Sequence, residues 1–374
     1  MQPKTPRIFN NAYKNKKVLV TGNTGFKGSW LSVWLSILGA DVYGLSNGVP
    51  TTPSHFTAVG LKDKTIYYEK DIRNLQDIQK VVDEIKPDFI FHLAAQPLVR
   101  LSYNNPTLTI ETNVIGTMNV LEALRQTNHP CCAVMITSDK CYDNVEWIWG
   151  YRETDALGGK DPYSASKGAA ELVIKTYAHS FFNTVESNVK VASVRAGNVI
   201  GGGDWAEDRI VPDCARAWSK GDTVQVRNPS ATRPWQHVLE PLSGYLLLGQ
   251  KLFENSELNG EPFNFGPNAD QNYTVGELIN EMQQYWSGAD VEVFCDPGIQ
   301  NKEANLLKLC CDKALHHLSW KPTLNFQETV QFTVEWYRKY YDQDEDVFGM
   351  TCKQIEDYAS LASNRQQVWV KNND

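Results

Sequence analysis

Residues 131–140 read CCAVMITSDK. An apolar run of the kind that forms a buried strand ends in a hydroxyl, a carboxyl and an ammonium: Ser138, Asp139 and Lys140. Further along, Tyr163-Ser-Ala-Ser-Lys167 sets a phenol and an ammonium four residues apart, which is one face of a helix. Such a cation can lower a tyrosine pKa from about 10 toward neutrality and make the phenol a usable acid or base. Ser138 can complete a Ser–Tyr–Lys set. The spacing alone decides little: Tyr13 and Lys17 repeat it in the polar N-terminal stretch, where it is given no role. Asp139-Lys140 taken alone reads as a solvated pair capping a strand, since exposed Asp and Lys usually are.

A second group of residues could hold a phosphate. Gly22-Asn-Thr-Gly25-Phe-Lys-Gly28 follows a short apolar run and opens a helical one. Glycines there let the backbone turn tightly and approach a pyrophosphate whose charge meets the helix N-terminus, a dinucleotide site. The acid expected after the second strand, which would hold a ribose hydroxyl, is absent; Ser46 and Asn47 stand there instead. NAD and NADP both remain open on this reading. Asp71 reads either as an adenine-side ligand or as a turn carboxylate.

The elements that must position these groups follow from the apolar pattern. KKVLVTG, DVYGLS, TIYYEKDI, DFIFHLA, CCAVMITSD and NVKVASVRAG read as strands, and Trp30, Leu31, Trp34, Leu35 and Leu38 share a helical face. Helices are expected over 107–126 and 163–182. Continuous apolar strands alternating with helices imply an α/β fold, a Rossmann-type doubly wound parallel sheet covered on both faces. Residues 16–195, with a return strand and helix near 237–258, form the expected dinucleotide-binding domain. Residues 196–236 and 259–374, including EPFNFGP, form a smaller C-terminal α/β substrate-binding domain. Ligands in such sheets lie at the carboxyl ends of the strands, where Ser138–Lys140 would sit.

The chain of 374 residues is 42% hydrophobic and 21% charged, enough to bury a sizeable core. Its net charge of −8 argues against nucleic acid or an anionic membrane as partner. No leader-like apolar segment opens the sequence, and WLSVWLSILGA is too short to span a bilayer. The eight cysteines include two adjacent pairs and no C-x-x-C, which points to a reduced, cytoplasmic protein without a metal site.

Together with FHLAAQ (91–96) and NVIGTMNVLEA (113–123), the two motifs resemble the extended short-chain dehydrogenase/reductase family over most of the chain. The resemblance implies that Tyr163 is the acid–base of hydride transfer, Lys167 its ribose-holding cation and Ser138 the assisting hydroxyl. It implies NAD contacts from Gly22, Thr24, Gly25, Phe26, Lys27 and Gly28. Ser46, Asp71 and Ile72 would follow on the adenosine side. Leu93, Ala94, Ala95 and Asn113 would complete the set, with Tyr163 and Lys167. A homodimer through the helices after Asn113 and Tyr163 is likewise implied.

TSDKCY (137–142) and the segment 228–248 are similar to the sugar-nucleotide 4,6-dehydratases, specifically the branch acting on CDP-D-glucose. That likeness makes Asp139 the acid toward the 6-hydroxyl, and Lys140 either the C5 base or a cation stabilising the enolate. For the diphosphate, Arg209 and Arg233 are the candidate cations, and Asn198 resembles the family asparagine at the sugar-linked phosphate. Trp235 would stack on the base or pack the small domain; Arg195 reads equally as a structural ion pair. His92 and His237 have no metal-ligand company. A nucleotide-hexose 4-epimerase and a non-catalytic NAD-binding regulator are the competing readings.

Overall fold

In a computed structural model of the chain, residues 7–226, 229–293, 306–343 and 346–371 are described. Asn228, the first residue of the segment 228–248, lies outside them. Seven parallel strands form the central sheet: β1 Lys17–Thr21, β2 Asp41–Ser46, β3 Ile66–Glu69, β4 Phe89–His92, β5 Cys131–Ile136, β6 Val189–Ala196 and β7 Pro262–Phe265. Their spatial order is β7-β6-β5-β4-β1-β2-β3, so the chain reverses direction across the sheet between β1 and β4. That reversal opens a crevice above the carboxyl ends of both strands, where the glycine run sits.

All six residues of β5 are buried, as a strand covered on both faces requires. Alternate residues serve different cores. Leu19, Ile90, Ala133 and Met135 pack under α2 Leu75–Ile85 and α3 Gly116–Gln126. Val18, Val20, Phe91 and Val134 join a larger core on the other face, with α1 Phe26–Ile37 and α5 Leu239–Glu254. The helix carrying the Tyr–Lys pair is α4, Pro162–Tyr177, with Asp161 capping it by accepting from Ser164 N at 2.9 Å.

Three elements differ from expectation. EPFNFGP, placed with the smaller domain, supplies β7: Phe263 and Phe265 are fully buried in the main sheet, paired in parallel with Val194 and Ala196. The expected helix 107–126 is interrupted by a π turn, Glu111–Ile115, which turns Asn113 inward. Tyr13, read as part of a polar stretch, is buried and donates to Leu246 O at 2.5 Å.

The C-terminal helices α6 Phe326–Asp342 and α7 Val347–Asn364 cover the α1 side. Tyr358 meets Trp34 edge-on at 5.8 Å, and His55 stacks on Trp30 at 4.8 Å and meets Trp336 at a tilt at 5.6 Å. Glu240 at the start of α5 accepts from Thr323 N, Leu324 N and Tyr358 Oη. It ties the tail to the sheet. A short parallel pair, Val199–Ile200 with Gln236–His237, leads the chain out toward Arg209 and back.

Candidate active site

The glycine run is built for close approach. Gly22 has φ +74°, and a Cβ there would meet the Ala94 backbone at 2.7 Å. At Gly28 a Cβ would stand 2.1 Å from Gly22 O, so only glycine lets α1 start against the loop. Gly25 caps α1 without a side-chain bond, and the first turn carries no acid. Its backbone N–H groups therefore face an anion unopposed. These features fit a dinucleotide pyrophosphate.

The residues around the run divide into surfaces and supports. Leu93, Ala94 and Ala95 are half-buried at the end of β4, beside Gly22. Thr24 and Ser46 are buried supports: Thr24 Oγ1 donates to Gly48 O at 2.7 Å and Ser46 Oγ to Asn23 Oδ1 at 2.9 Å. Phe26 lies against Gly201. Asp71 holds Arg73 at 2.6 Å, which with other bonds to Arg73 and Asn47 keeps its carboxyl below the usual range, so the structure supplies the turn-carboxylate arrangement. Ile72 fills the space beside Gly116, and its carbonyl accepts from Asn119. Asn113 is a buried clasp: Oδ1 accepts from Gln96 N at 2.8 Å while Nδ2 donates to Ser166 Oγ at 2.8 Å.

At the carboxyl end of β5, Ser138 caps a single turn, Asp139–Cys141. Its Oγ donates to Asp139 Oδ1 at 2.9 Å. Asp139 is buried, and burial pushes its pKa up against the pull of Lys140, Ser138 and Lys27. Tyr163 and Lys167 rise from the first turns of α4, with the ammonium 5.9 Å from the phenol ring. Here the expectation needs correction. Burial drives Tyr163 up to about 12, with the Ser138 hydrogen bond opposing it, so Lys167 by itself does not bring the phenol toward neutrality. Lys167 is pushed down to about 8 by burial and then by Lys27.

The substrate side converges on the same place. Asp139, Lys140, Asn198, Arg233 and Pro234 line one small pocket. A larger cavity of about 730 Å³ shares Pro234 with it, walled by Trp147–Gly150, Gly266–Ala269, Gln271 and Lys308–Asp312. Arg209 is gripped by Asp204 at 2.6 Å and lies within electrostatic reach of Tyr163 and Lys27. Trp235 is buried, its Nε1 donating to Tyr273 O at 3.1 Å; it packs the small lobe and offers no face for a base. Arg195 forms the ion pair: Nη2 meets Glu171 Oε2 at 2.8 Å, deep inside. His92 and His237 are buried core residues, both held near a pKa of about 3 by burial. Among the described residues no cluster of three metal-ligating side chains occurs.

Two features escaped the sequence reading. Lys27 faces Asp139 and Asp204, with burial first and Arg209 next pushing its pKa down to about 8. Glu171 stands four residues beyond Lys167 on the same face of α4 and accepts from Thr137 Oγ1, Ser193 Oγ and Arg195. An acid continuing the Tyr–Lys spacing on a buried helix face was the available signal.

The family model described as GDP-mannose 4,6 dehydratase matches residues 19–333. A CDP-glucose 4,6-dehydratase from Salmonella typhimurium is 46% identical over 359 residues, 95% of this chain and 99% of that protein. The UDP-glucose 4-epimerase of Thermus thermophilus, solved in complex with NAD, is 26% identical with a TM-score of 0.72, covering 86% of this chain and 99% of that one. A dTDP-glucose 4,6-dehydratase from Streptomyces venezuelae, with NAD bound, shares the fold at 23% identity and a TM-score of 0.73, covering 87% and 98%.

Proposed function

The chain belongs to the GDP-mannose 4,6-dehydratase family, and from that premise we propose that it converts CDP-D-glucose to CDP-4-keto-6-deoxy-D-glucose and water. The observation that carries this reading is the 46% identity to a CDP-glucose 4,6-dehydratase along 95% of the chain. The meeting of Asp139, Lys140, Asn198 and Arg233 in one pocket supports it. The cofactor is NAD, held by the glycine run, the β4 end and Lys167; when bound it supplies the acceptor and later the donor of the C4 hydride.

The chain's own groups move the protons. Tyr163, as phenolate, takes the proton of the sugar 4-hydroxyl, and the positive charges of Lys167 and the oxidised nicotinamide oppose its burial. The 4-ketone acidifies C5–H, which Lys140 removes. Asp139, whose pKa burial raises, donates to the departing 6-hydroxyl. Lys140 then returns a proton to C5. Asn198, Arg209 and Arg233 hold the diphosphate, a task suited to planar guanidinium donors.

A 4-epimerase shares this fold and the Tyr–Lys pair, but needs no acid beside C6. The buried Asp139 favours dehydration. The product suits deoxysugar assembly for a surface polysaccharide such as O-antigen, in the cytoplasm, by a homodimer. CDP-glucose carrying deuterium at C4 tests the chemistry: the label must reappear at C6 with NAD only catalytic. Label retained at C4 with water lost would overturn it.

A further inference from the structure

The reaction proposed above leaves two groups in the wrong protonation state, and the inference here rests on that reading. Tyr163 ends a turnover holding the proton of the sugar 4-hydroxyl. Asp139 ends it as a carboxylate, its proton gone with the departing water. Lys140 is already restored, because it returns one proton to C5 for the one it took. The next turnover needs phenolate at Tyr163 and acid at Asp139. One proton must therefore pass from the first to the second, and none need be exchanged with solvent.

We propose that Ser138 carries this proton: the phenol O–H of Tyr163 donates to Ser138 Oγ as the serine O–H donates to Asp139 Oδ1. The phenol's O–H bond breaks as a new one forms at the serine; the serine's original O–H bond breaks as the carboxyl O–H forms. The charge moves from carboxylate to phenolate, and no further reactant takes part.

The geometry already holds most of this path. Ser138 Oγ donates to Asp139 Oδ1 at 2.9 Å, and Ser138 is also the neighbour whose side chain opposes the rise that burial causes in the Tyr163 pKa. Its place is fixed from both sides. Thr137 N donates to Val194 O at 2.9 Å, and Thr137 Oγ1 donates to Glu171. Lys140 N in turn donates back to Ser138 Oγ at 3.3 Å. Hydroxyl rotation is thus the remaining freedom. Asp139 and Tyr163 are only 4% and 8% exposed, so bulk water is a poor agent for resetting either. The titratable side chains that act on the two acids besides Ser138 include Lys27, Lys140, Arg209, Asp161 and Tyr245, and of the hydrogen bonds to Asp139 the serine's is the one from a hydroxyl.

The test compares first and later turnovers of the NAD-loaded enzyme on CDP-glucose, in wild type, Ser138→Ala and Ser138→Thr. Ser138→Ala is expected to complete one turnover per site and then slow by roughly a hundredfold relative to that first event, while Ser138→Thr keeps both phases. Infrared difference spectra supply a readout apart from rate. After one turnover the carboxyl band of Asp139, assigned by its absence in Asp139→Asn, returns in wild type and stays lost in Ser138→Ala. Equal slowing of first and later turnovers with the band restored in Ser138→Ala overturns the relay and leaves Ser138 to the hydride step. A wild type that dehydrates none of the nucleotide sugars removes the reading itself, before any variant is compared.

Discussion

Burial sets Tyr163 and Lys167 the same problem from opposite sides, since it penalises the charge that each must carry in the proposed reaction. The phenol stands at about 12 and the ammonium at about 8. Lys167 lies below its ordinary 10.5 in the folded chain, so the fold penalises the ammonium. The Lys167 contribution to stability is lowest below about pH 8 and rises as the pH climbs from there toward 10.5. Lys167→Met should therefore abolish turnover yet raise stability at neutral pH by up to about 3 kcal/mol, read by denaturant titration; a destabilised variant would contradict this. Tyr163→Phe should lower turnover by a factor of about 10²–10⁴ with CDP-glucose binding retained, measured by single-turnover nicotinamide absorbance and calorimetry. For Lys140→Ala, exchange of the C5 proton should fall in step with dehydration; exchange at the wild-type rate removes lysine as the base. The polar strand end and the Tyr–Lys spacing were legible in the sequence because they are local. Lys27 opposite Asp139 was not, because a helix start and a strand end distant in sequence meet only in the fold.

Elements decide whether these residues meet at all. Gly28→Ala places a methyl 2.1 Å from Gly22 O, where the obstacle is backbone rather than a yielding side chain. It should weaken cofactor binding roughly tenfold or more and lower the melting temperature, as equilibrium dialysis and calorimetry would show. Glu240 anchors the C-terminal tail, and burial raises its pKa to about 7. That folded value exceeds the unfolded one, so its contribution to stability is complete near pH 4 and is lost as the pH rises through 7. Glu240→Gln should cost about 1–3 kcal/mol, because an amide nitrogen in place of either oxygen would face two donors, and should flatten the slope in that pH window. The strands of the sheet through β6 and the glycine turn could be read from apolar runs. The break at Asn113 and the return of residues 262–265 to the sheet could not. Both are set by partners far along the chain: Gln96 and Ser166 for the first, β6 for the second.

Across the whole molecule, the described helices include none long and apolar enough to cross a membrane. The apolar side chains left exposed on one flank of the sheet are Ile110 and Ile115 before α3, Leu172 on α4 and Phe181 just beyond it. In the homodimer proposed above, this is the face that would meet the second copy. Leu172→Arg should halve the sedimenting mass in analytical ultracentrifugation while leaving the melting curve of each subunit cooperative; an unchanged mass would place the interface elsewhere. The fold is shared with epimerases, so architecture alone does not choose the reaction. In the proposed function the choice falls to the small group Ser138, Asp139 and Lys140, of which Ser138 and Asp139 act directly on Tyr163. The most direct test is mass spectrometry of reactions with CDP-, UDP-, dTDP- and GDP-glucose, each with catalytic NAD. The account predicts loss of one water from CDP-glucose in preference to the others, with no net reduction of NAD. An unchanged mass with inversion at C4 would contradict it and return Asp139-Lys140 to a structural pair.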